Sequence, residues 1–498
     1  MPLTRQDSAL TTLDARTARH LFRSGELQPS ELLDATLDRI AEVNGDREHG
    51  VNAFTEVLAS EARARAERAD AAWATARATG EEPPPLLGVP VATKEKHGIA
   101  GRSLTQGLAA NRRQLAPAHH PVVERVLAAG GIIHARTTSP EFSCATVTHS
   151  PEWGITRNPW NLAASPGGSS GGAGAALAAG MATLATASDI AGSTRIPAGF
   201  TGTVGYKAPF GRIPGLPPLA GDWYRGDGPM ARTVADTAVL AGVLSGRHPV
   251  DHGSFGDSRP PLPAGGLGGA ADVAGMRIGL SIELGDYPVA RSVRENTERV
   301  AAALEAAGAV IVPVALPWTT ERISATTFAH FGHILGPAMA ELTAGTADRL
   351  AAYTGRFIAD AAAAARGVSL PQSLALDATL QAELAAAMHG LDALLTPTQA
   401  VEMLHAADDY LDGIDAVDTT GRTVHLAHYW EAHMTSPFNV ANRCPVLSVP
   451  SGVSRVGVPT GIQVVGHPFD EAAVFQIGAA IEELVEMPEF PDLRGEAR

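Results

Sequence analysis

Cysteine is nearly missing: 498 residues carry only Cys144 and Cys444. Two thiols cannot build a disulfide framework, so the chain must be held by packing, as proteins of a reducing compartment are. Aromatic residues make up only 5%, while glycine occupies 52 positions. Helices with such small side chains should pack closely. Basic residues are outnumbered, 38 Lys and Arg against 53 Asp and Glu, for a formal net charge of −15. A phosphate backbone needs clustered cations to displace its counterions, and no cluster occurs, so nucleic acid is not expected as a partner. The acidic excess reads as solubility and nothing sharper. At the N-terminus, Asp7, Asp14 and Arg16 interrupt MPLTRQDSALTTLDARTARHLF. No signal peptide is expected there, and the location reads as cytoplasmic.

One stretch lacks charge altogether, because no Asp, Glu, Lys or Arg lies between Asn158 and Ser188. A membrane-spanning helix wants about 20 strongly apolar residues. This run instead opens with Pro159, Pro166, serines and glycines before its Ala-rich part. It reads as a buried loop leading into a core helix, and no membrane partner is expected.

What is present is a large apolar fraction, 45%, with 18% charged residues, the profile of a globular chain. Residues 1–80 read as an N-terminal helical region packed on the core. Within it, Leu32, Leu33, Leu37 and Ile40 share one helix face and Ser30 is a candidate N-cap. After Pro83-Pro84-Pro85 the texture changes. Helix, glycine turn and apolar strand alternate in PVVERVLAAGGIIHA (121–135), and again over 295–314 and 383–397. VLSVPSG (446–452) and TGIQVVG (460–466) read as neighbouring strands before a closing helix at 470–484. Such alternation argues for a layered α/β fold over residues 81–498, one globular unit overall. The Gly/Pro/Asp-rich segment 246–272 reads as a surface excursion.

Cleaving an amide needs a nucleophile, a base, a donor for the leaving nitrogen and hydrogen bonds for the oxyanion. The uncharged stretch supplies Ser165-Pro166-Gly167-Gly168-Ser169-Ser170-Gly171-Gly172, a loop of small residues opening a helix. Further on, Asp189-Ile190-Ala191-Gly192-Ser193-Thr194-Arg195 can gather backbone N–H groups into an anion nest. Lys94 closes the apolar run GVPVATK. Taken singly, a Gly–Ser loop is more often a plain turn, and a strand-end lysine is usually a solvated charge.

Taken together, GVPVATKE (88–95), SPGGSSGG (165–172), DIAGSTRIP (189–197) and GTVGYKAPFGRIP (202–214) resemble the amidase signature family in order and spacing. TTSPEF (137–142), TRNPWN (156–161), GPMARTVADTA (228–238), LLTPT (394–398) and SPFNVANRCPVLSVPSG (436–452) extend the likeness over nearly the whole chain. The resemblance implies a large mixed, mostly parallel central sheet covered by helices on both faces. It implies a serine amidohydrolase with Ser193 as nucleophile, Ser169 as bridging serine joined to Gly168 by a cis peptide, and Lys94 as base. It also implies an oxyanion hole from the amides of Ile190, Ala191, Gly192 and Ser193, with Gly168, Ser170, Asp189 and Arg195 in support. No metal and no cofactor are expected. The partner is a small-molecule amide, and a homodimer is left open.

The relay is physically coherent, since a free lysine with pKa about 10.4 cannot accept a proton at neutral pH, whereas burial lowers such a value by several units. Three departures from the family pattern stand out: Ala191 for a usual glycine, Glu95 for a common aspartate and Ser188 for a frequent threonine.

Other readings are weaker. Gly167-Gly168-Ser169-Ser170-Gly171 fits the G-x-S-x-G elbow, but Leu162–Pro166 makes a poor preceding strand. His330/His333 and His425/His428 are H-x-x-H pairs without the H-E-x-x-H pattern. Within the family, the rival is the A-type component of the tRNA-dependent amidotransferase, which passes ammonia to a misacylated tRNA. Acyl transfer to another amine and a non-catalytic scaffold are further alternatives. Substrate choice is expected to rest on Gly215–Asp227 and residues 318–435, with Trp223, Tyr224, Trp318 and Tyr429 as candidate lining aromatics.

Overall fold

The computed structural model describes residues 10–256 and 266–493. Its first strands in chain order are β1 (Phe54–Val57), β2 (Pro90–Lys94), β3 (Ile132–Thr137), β4 (His149–Ser150), β5 (Gly154–Ile155), β6 (Leu184–Asp189), β7 (Val204–Lys207) and β8 (Gly226–Ala231). Then come β9 (Arg277–Leu280), β10 (Val310–Pro313), β11 (Ala393–Pro397), β12 (Ile414–Val417), β13 (Thr423–Leu426), β14 (Val446–Val453) and β15 (Pro459–Gly466). Eleven of them form one sheet in the order β1-β3-β2-β6-β8-β7-β14-β15-β11-β9-β10, while β4-β5 and β12-β13 are separate hairpins.

The fold is mixed α/β, with helices against both faces of this sheet. Pairing is parallel on the two flanks, in β3-β2-β6 and β11-β9-β10. Between them the run β6-β8-β7-β14-β15-β11 is antiparallel. The short β14–β15 connection explains part of this, because a tight turn can only join antiparallel neighbours. Side-chain alternation divides the cores: on β6, Leu184 packs into one apolar cluster, while Ala185 and Ala187 pack into another on the opposite face. The first face is covered by the helices Pro121–Ala128, Val234–Leu244 and Glu471–Leu484. The second is covered by Pro29–Val43 and Gly171–Ala178, whose alanines and glycines permit close approach to the strands.

The helix–turn–strand units read from the sequence form as Pro121–Ala128 with β3, Arg291–Ala306 with β10, and Leu370–Ala387 with β11. Two local expectations change. Pro29 opens the helix Pro29–Val43 at its first position, so the cap is Gln28 rather than Ser30, and the Glu31 carboxylate accepts the Gln28 N–H at 2.8 Å. Within the N-terminal region read as helical, Phe54–Val57 instead adds an edge strand antiparallel to β3. Of the excursion 246–272, residues 257–265 lie outside the described residues. Among the described residues, no helix is long and apolar enough to cross a membrane.

The topology gathers three chain segments at one place. β2 ends at Lys94, β6 ends at Asp189, and the helix Gly171–Ala178 starts just after Ser170. The carboxyl ends of parallel strands are where α/β sheets build their sites.

Candidate active site

Lys94 is fully buried, yet its Nζ has no carboxylate within ion-pair distance among the described residues. Three serine hydroxyls surround it instead: Ser169 Oγ at 2.7 Å, Ser170 Oγ at 3.0 Å and Ser188 Oγ at 3.1 Å. Burial holds its pKa well below the ordinary lysine value. The charges of Lys96 and Arg225 push the same way, against Asp227 and Asp189. A neutral amine has two N–H donors and one lone pair, which matches the three hydroxyls. Ser170 gives its proton to the Ser188 carbonyl at 3.4 Å, so it receives from Lys94. Ser169 Oγ and Ser188 Oγ have no other hydrogen-bond partner among the described residues, so either hydroxyl can donate into the lone pair, Ser169 from the shorter distance.

Ser169 follows Gly168 through a cis peptide. Its neighbour Ser170 donates its backbone N–H to the Ser193 carbonyl at 3.1 Å, which ties the two loops together. Ser193 is 7% exposed, against 0% for Lys94 and Ser169. Its hydroxyl makes no hydrogen bond to Ser169 or Lys94, so the structure joins Lys94 to Ser169 and leaves Ser193 Oγ without a hydrogen-bond partner among the described residues.

The nest itself is held by a buried ion pair. Arg195 donates to both carboxylate oxygens of Asp189, from Nε and Nη2, each at 3.0 Å. It also donates to Gln463 Oε1 at 2.7 Å, Asn439 Oδ1 at 2.6 Å and the Thr435 carbonyl at 3.0 Å. Burial alone would raise the Asp189 carboxyl; the charge and hydrogen bonds of Arg195, with Asn439, outweigh it and bring the pKa down to about 2. The Gly192 N–H donates to Asp189 Oδ1 at 2.7 Å, so it is not free for an oxyanion, a correction to the four-amide hole. The amides of Ile190, Ala191 and Ser193 have no partner among the described residues. Gly192 sits at φ +123°, and a Cβ there would collide with the Thr435 side chain.

The chain matches the family model described as Amidase over residues 31–475. It is 33% identical to the A-type component of a glutamyl-tRNA(Gln) amidotransferase from Synechococcus sp. (strain CC9605), covering 94% of this chain and 96% of the relative. This chain belongs to the amidase signature family. Among solved structures, a bacterial aryl acylamidase of the family superposes with a TM-score of 0.82 at 26% identity, covering 95% of this chain and 96% of that one. The peptide amidase of Stenotrophomonas maltophilia superposes at 0.77 and 25% identity, covering 96% and 98%. The family acts on amide C–N bonds.

Against the usual amidase signature pattern, the departures sit quietly. Ala191 is not among the residues at positive φ, so its methyl strains nothing; it packs into the apolar cluster with Ile190 and Ile196. Its carbonyl is fixed by the Thr435 hydroxyl at 2.6 Å. Glu95 turns away from the amine, and its carboxylate takes the Thr105 and Gln106 N–H groups at 2.5 and 3.0 Å. Ser188 keeps the hydroxyl that contacts Lys94.

Sequence reasoning missed Thr435, Asn439 and Gln463 as supports of the nest. The segment 436–452 is family-like in sequence, but its pattern assigns no side chain a role. Of the candidate lining aromatics, Tyr224, Trp318 and Tyr429 are buried in the same apolar cluster as Ile190 and Ala191, and Trp223 packs against it. The H-x-x-H pairs do not converge: His330 Nε2 meets Asp222 at 2.7 Å, and His333 Nε2 meets the Val368 carbonyl at 2.7 Å.

Proposed function

We propose that this chain cleaves a carboxylic amide through an acyl-enzyme on Ser193. The observation that carries the reading is a buried amine facing three serine hydroxyls and no carboxylate, beside a loop with unoccupied backbone amides. Neutral Lys94 takes the Ser169 proton as Ser169 takes that of Ser193. The Ser193 oxygen then adds to the amide carbonyl. The amides of Ile190, Ala191 and Ser193 are placed to receive the oxyanion. Run backwards, the relay carries the proton to the leaving nitrogen, the C–N bond breaks, and an ester on Ser193 remains for water or an amine to resolve. Ser193 must turn about its Cα–Cβ bond to meet Ser169, a tightening that substrate commonly brings to such sites.

The apolar cluster around Ile190 and Ala191 contains Phe142, Tyr224, Trp318, Phe328 and Trp430. A crevice lined by Tyr287, Ile323, Phe328 and Trp430 reaches Ser436, whose hydroxyl lies 3.5 Å from the Ala191 carbonyl.

A second reading is favoured by the curated relatives, which are named as components of an amidotransferase. On that reading the same acyl chemistry on Ser193 works inside an assembly, and this chain by itself is slow on simple amides. Both readings keep the protein in the cytoplasm, in line with two buried free cysteines. The separating experiment presents the purified chain alone with glutamine and with a panel of aryl and alkyl amides, while mass spectrometry looks for an acyl adduct on Ser193. Turnover of simple amides without partners favours the free hydrolase; glutamine cleavage that appears only with partner proteins favours the amidotransferase. Turnover retained in Ser193→Ala would defeat both.

A further inference from the structure

Behind the Lys94 amine lies a second buried polar cluster that the reaction itself does not use. His97, His120 and Asp227 offer one ligand atom each within 4.8 Å of one another, all buried. Metal binding is the first thing such a trio suggests, but its proton map argues otherwise. His97 Nε2 faces Asp227 Oδ1 at 3.0 Å, so that nitrogen must carry the hydrogen. His120 Nδ1 accepts the Val122 N–H at 3.2 Å, so its hydrogen is on Nε2, which points at Asp227 Oδ2 from 3.5 Å. Lys96 Nζ stands 3.6 Å from Asp227 Oδ1 as well. With these tautomers each imidazole nitrogen facing the carboxylate carries a hydrogen, and the trio reads as a hydrogen-bonded cluster around Asp227.

The same map leads back to Lys94. With its hydrogen on Nε2, His97 has a bare Nδ1, which lies 2.8 Å from Thr186 Oγ1 and accepts that hydroxyl. Thr186 Oγ1 in turn accepts the backbone N–H of Lys94 at 3.1 Å. The ladder between β2 and β6 registers only Val91 with Leu184 and Ala92 with Ala185. Thr186 therefore takes over where the ladder stops, at the residue whose side chain must be aimed. The loop closes through the His97 backbone N–H, which donates to the Lys94 carbonyl at 2.8 Å. Two residues further along β6, Ser188 meets the tip of the same lysine. One strand thus fixes both ends of Lys94.

We propose that His97 and Thr186 are positioning residues for Lys94, with Asp227 setting the tautomer of His97 that makes the link possible. The inference rests on the Lys94 relay reading. Burial keeps His97 below its ordinary pKa, against the pull of Asp227 and with the push of Lys96 and Lys94. Burial thus favours the neutral ring that the link needs. The charged groups facing Lys94 are Lys96, Asp227, Arg225 and Asp189.

The test measures the rate at which a fluorophosphonate probe labels Ser193, as a function of pH, in the full chain. This readout needs no known substrate. Thr186→Val and His97→Gln should each slow labelling about tenfold or more through misaiming of the base. The double variant should be no slower than the slower single one, because both break one chain. Thr186→Ser should stay within about twofold of wild type, with circular dichroism unchanged throughout. Wild-type rates in both single variants, losses that multiply, or a Thr186→Ser variant as slow as Thr186→Val would overturn the inference and leave the relay standing. A wild-type chain that never labels at Ser193 would remove the relay, and the inference with it.

Discussion

Replacing Asp189 by Asn tests whether a buried ion pair, rather than apolar packing, holds the nest. The carboxylate accepts five hydrogens: Gly192 N–H at 2.7 Å, Thr194 N–H at 3.3 Å, Arg195 Nε–H and Nη2–H at 3.0 Å, and Asn439 Nδ2–H at 2.9 Å. An amide has one oxygen, so in its better orientation it keeps the three donors at Oδ1 and turns its own N–H₂ toward Thr194 and Arg195 Nε. It also leaves Arg195, 0% exposed, without its counter-charge. Orphaning one partner of a buried pair costs about 3–5 kcal/mol. An independent figure comes from linkage. The Asp189 pKa falls from 3.8 to about 2 on folding, and nearly two units at about 1.36 kcal/mol each give about 2.5 kcal/mol for the charge alone. Because the folded value is the depressed one, this contribution is complete above about pH 4 and is lost as pH falls toward 2. Urea unfolding followed by tryptophan fluorescence should therefore show Asp189→Asn destabilised by roughly 3–5 kcal/mol at pH 7. The gap to wild type should narrow as pH falls from about 4 to about 3. A variant within about 1 kcal/mol of wild type at neutral pH, or a gap that ignores pH, would refute the argument.

Lys94→Met should keep the fold, because a nearly isosteric apolar chain replaces a neutral amine in a dry place, while Ser193 labelling drops by about 10²–10⁴; circular dichroism and labelling kinetics read the two effects separately. In the wild type, labelling should fall as pH drops through the depressed Lys94 value and stay level up to mildly alkaline pH, since the amine acts only when unprotonated; a rise that waits for pH about 10 would show an ordinary lysine. Gly192→Ala should lower both stability and labelling, because φ +123° and the Thr435 side chain both exclude a Cβ; equal labelling by this variant would show that the nest is looser than drawn.

The amine, the small-residue loop and the nest are legible in the sequence because each is a short contiguous segment with a distinctive composition. The helix–turn–strand units are legible for the same reason: their periodicity is local. The direction of the central strands is not, since β7 pairs with a β14 that lies more than 200 residues further along the chain, and no local pattern encodes which neighbour a strand takes. Thr435, Asn439 and Gln463 are hidden similarly. They come from distant parts of the chain and meet only around Arg195, a residue whose five donors give notice that acceptors are needed without naming them. The loss of the Gly192 amide to Asp189 is invisible because a nest written as four consecutive residues does not reveal which N–H points inward.

These same contacts explain why the site can be rigid while its nucleophile is not yet engaged. The Ala191 carbonyl is held by Thr435, the Gly192 amide by Asp189 and the Ser193 carbonyl by Ser170. The amides of Ile190, Ala191 and Ser193, proposed to receive the oxyanion, carry no such tie among the described residues, yet they ride on a backbone that these bonds hold in place. Lys94 is tied at its tip by serines and at its backbone by Thr186. On the proposed reading, what is left to move is the Ser193 hydroxyl, which has no hydrogen bond to Ser169 or Lys94. Preorganising the donors while leaving only Ser193 to turn confines the reorganisation that must accompany attack to one torsion, and electrostatic stabilisation by fixed dipoles depends on that economy of motion.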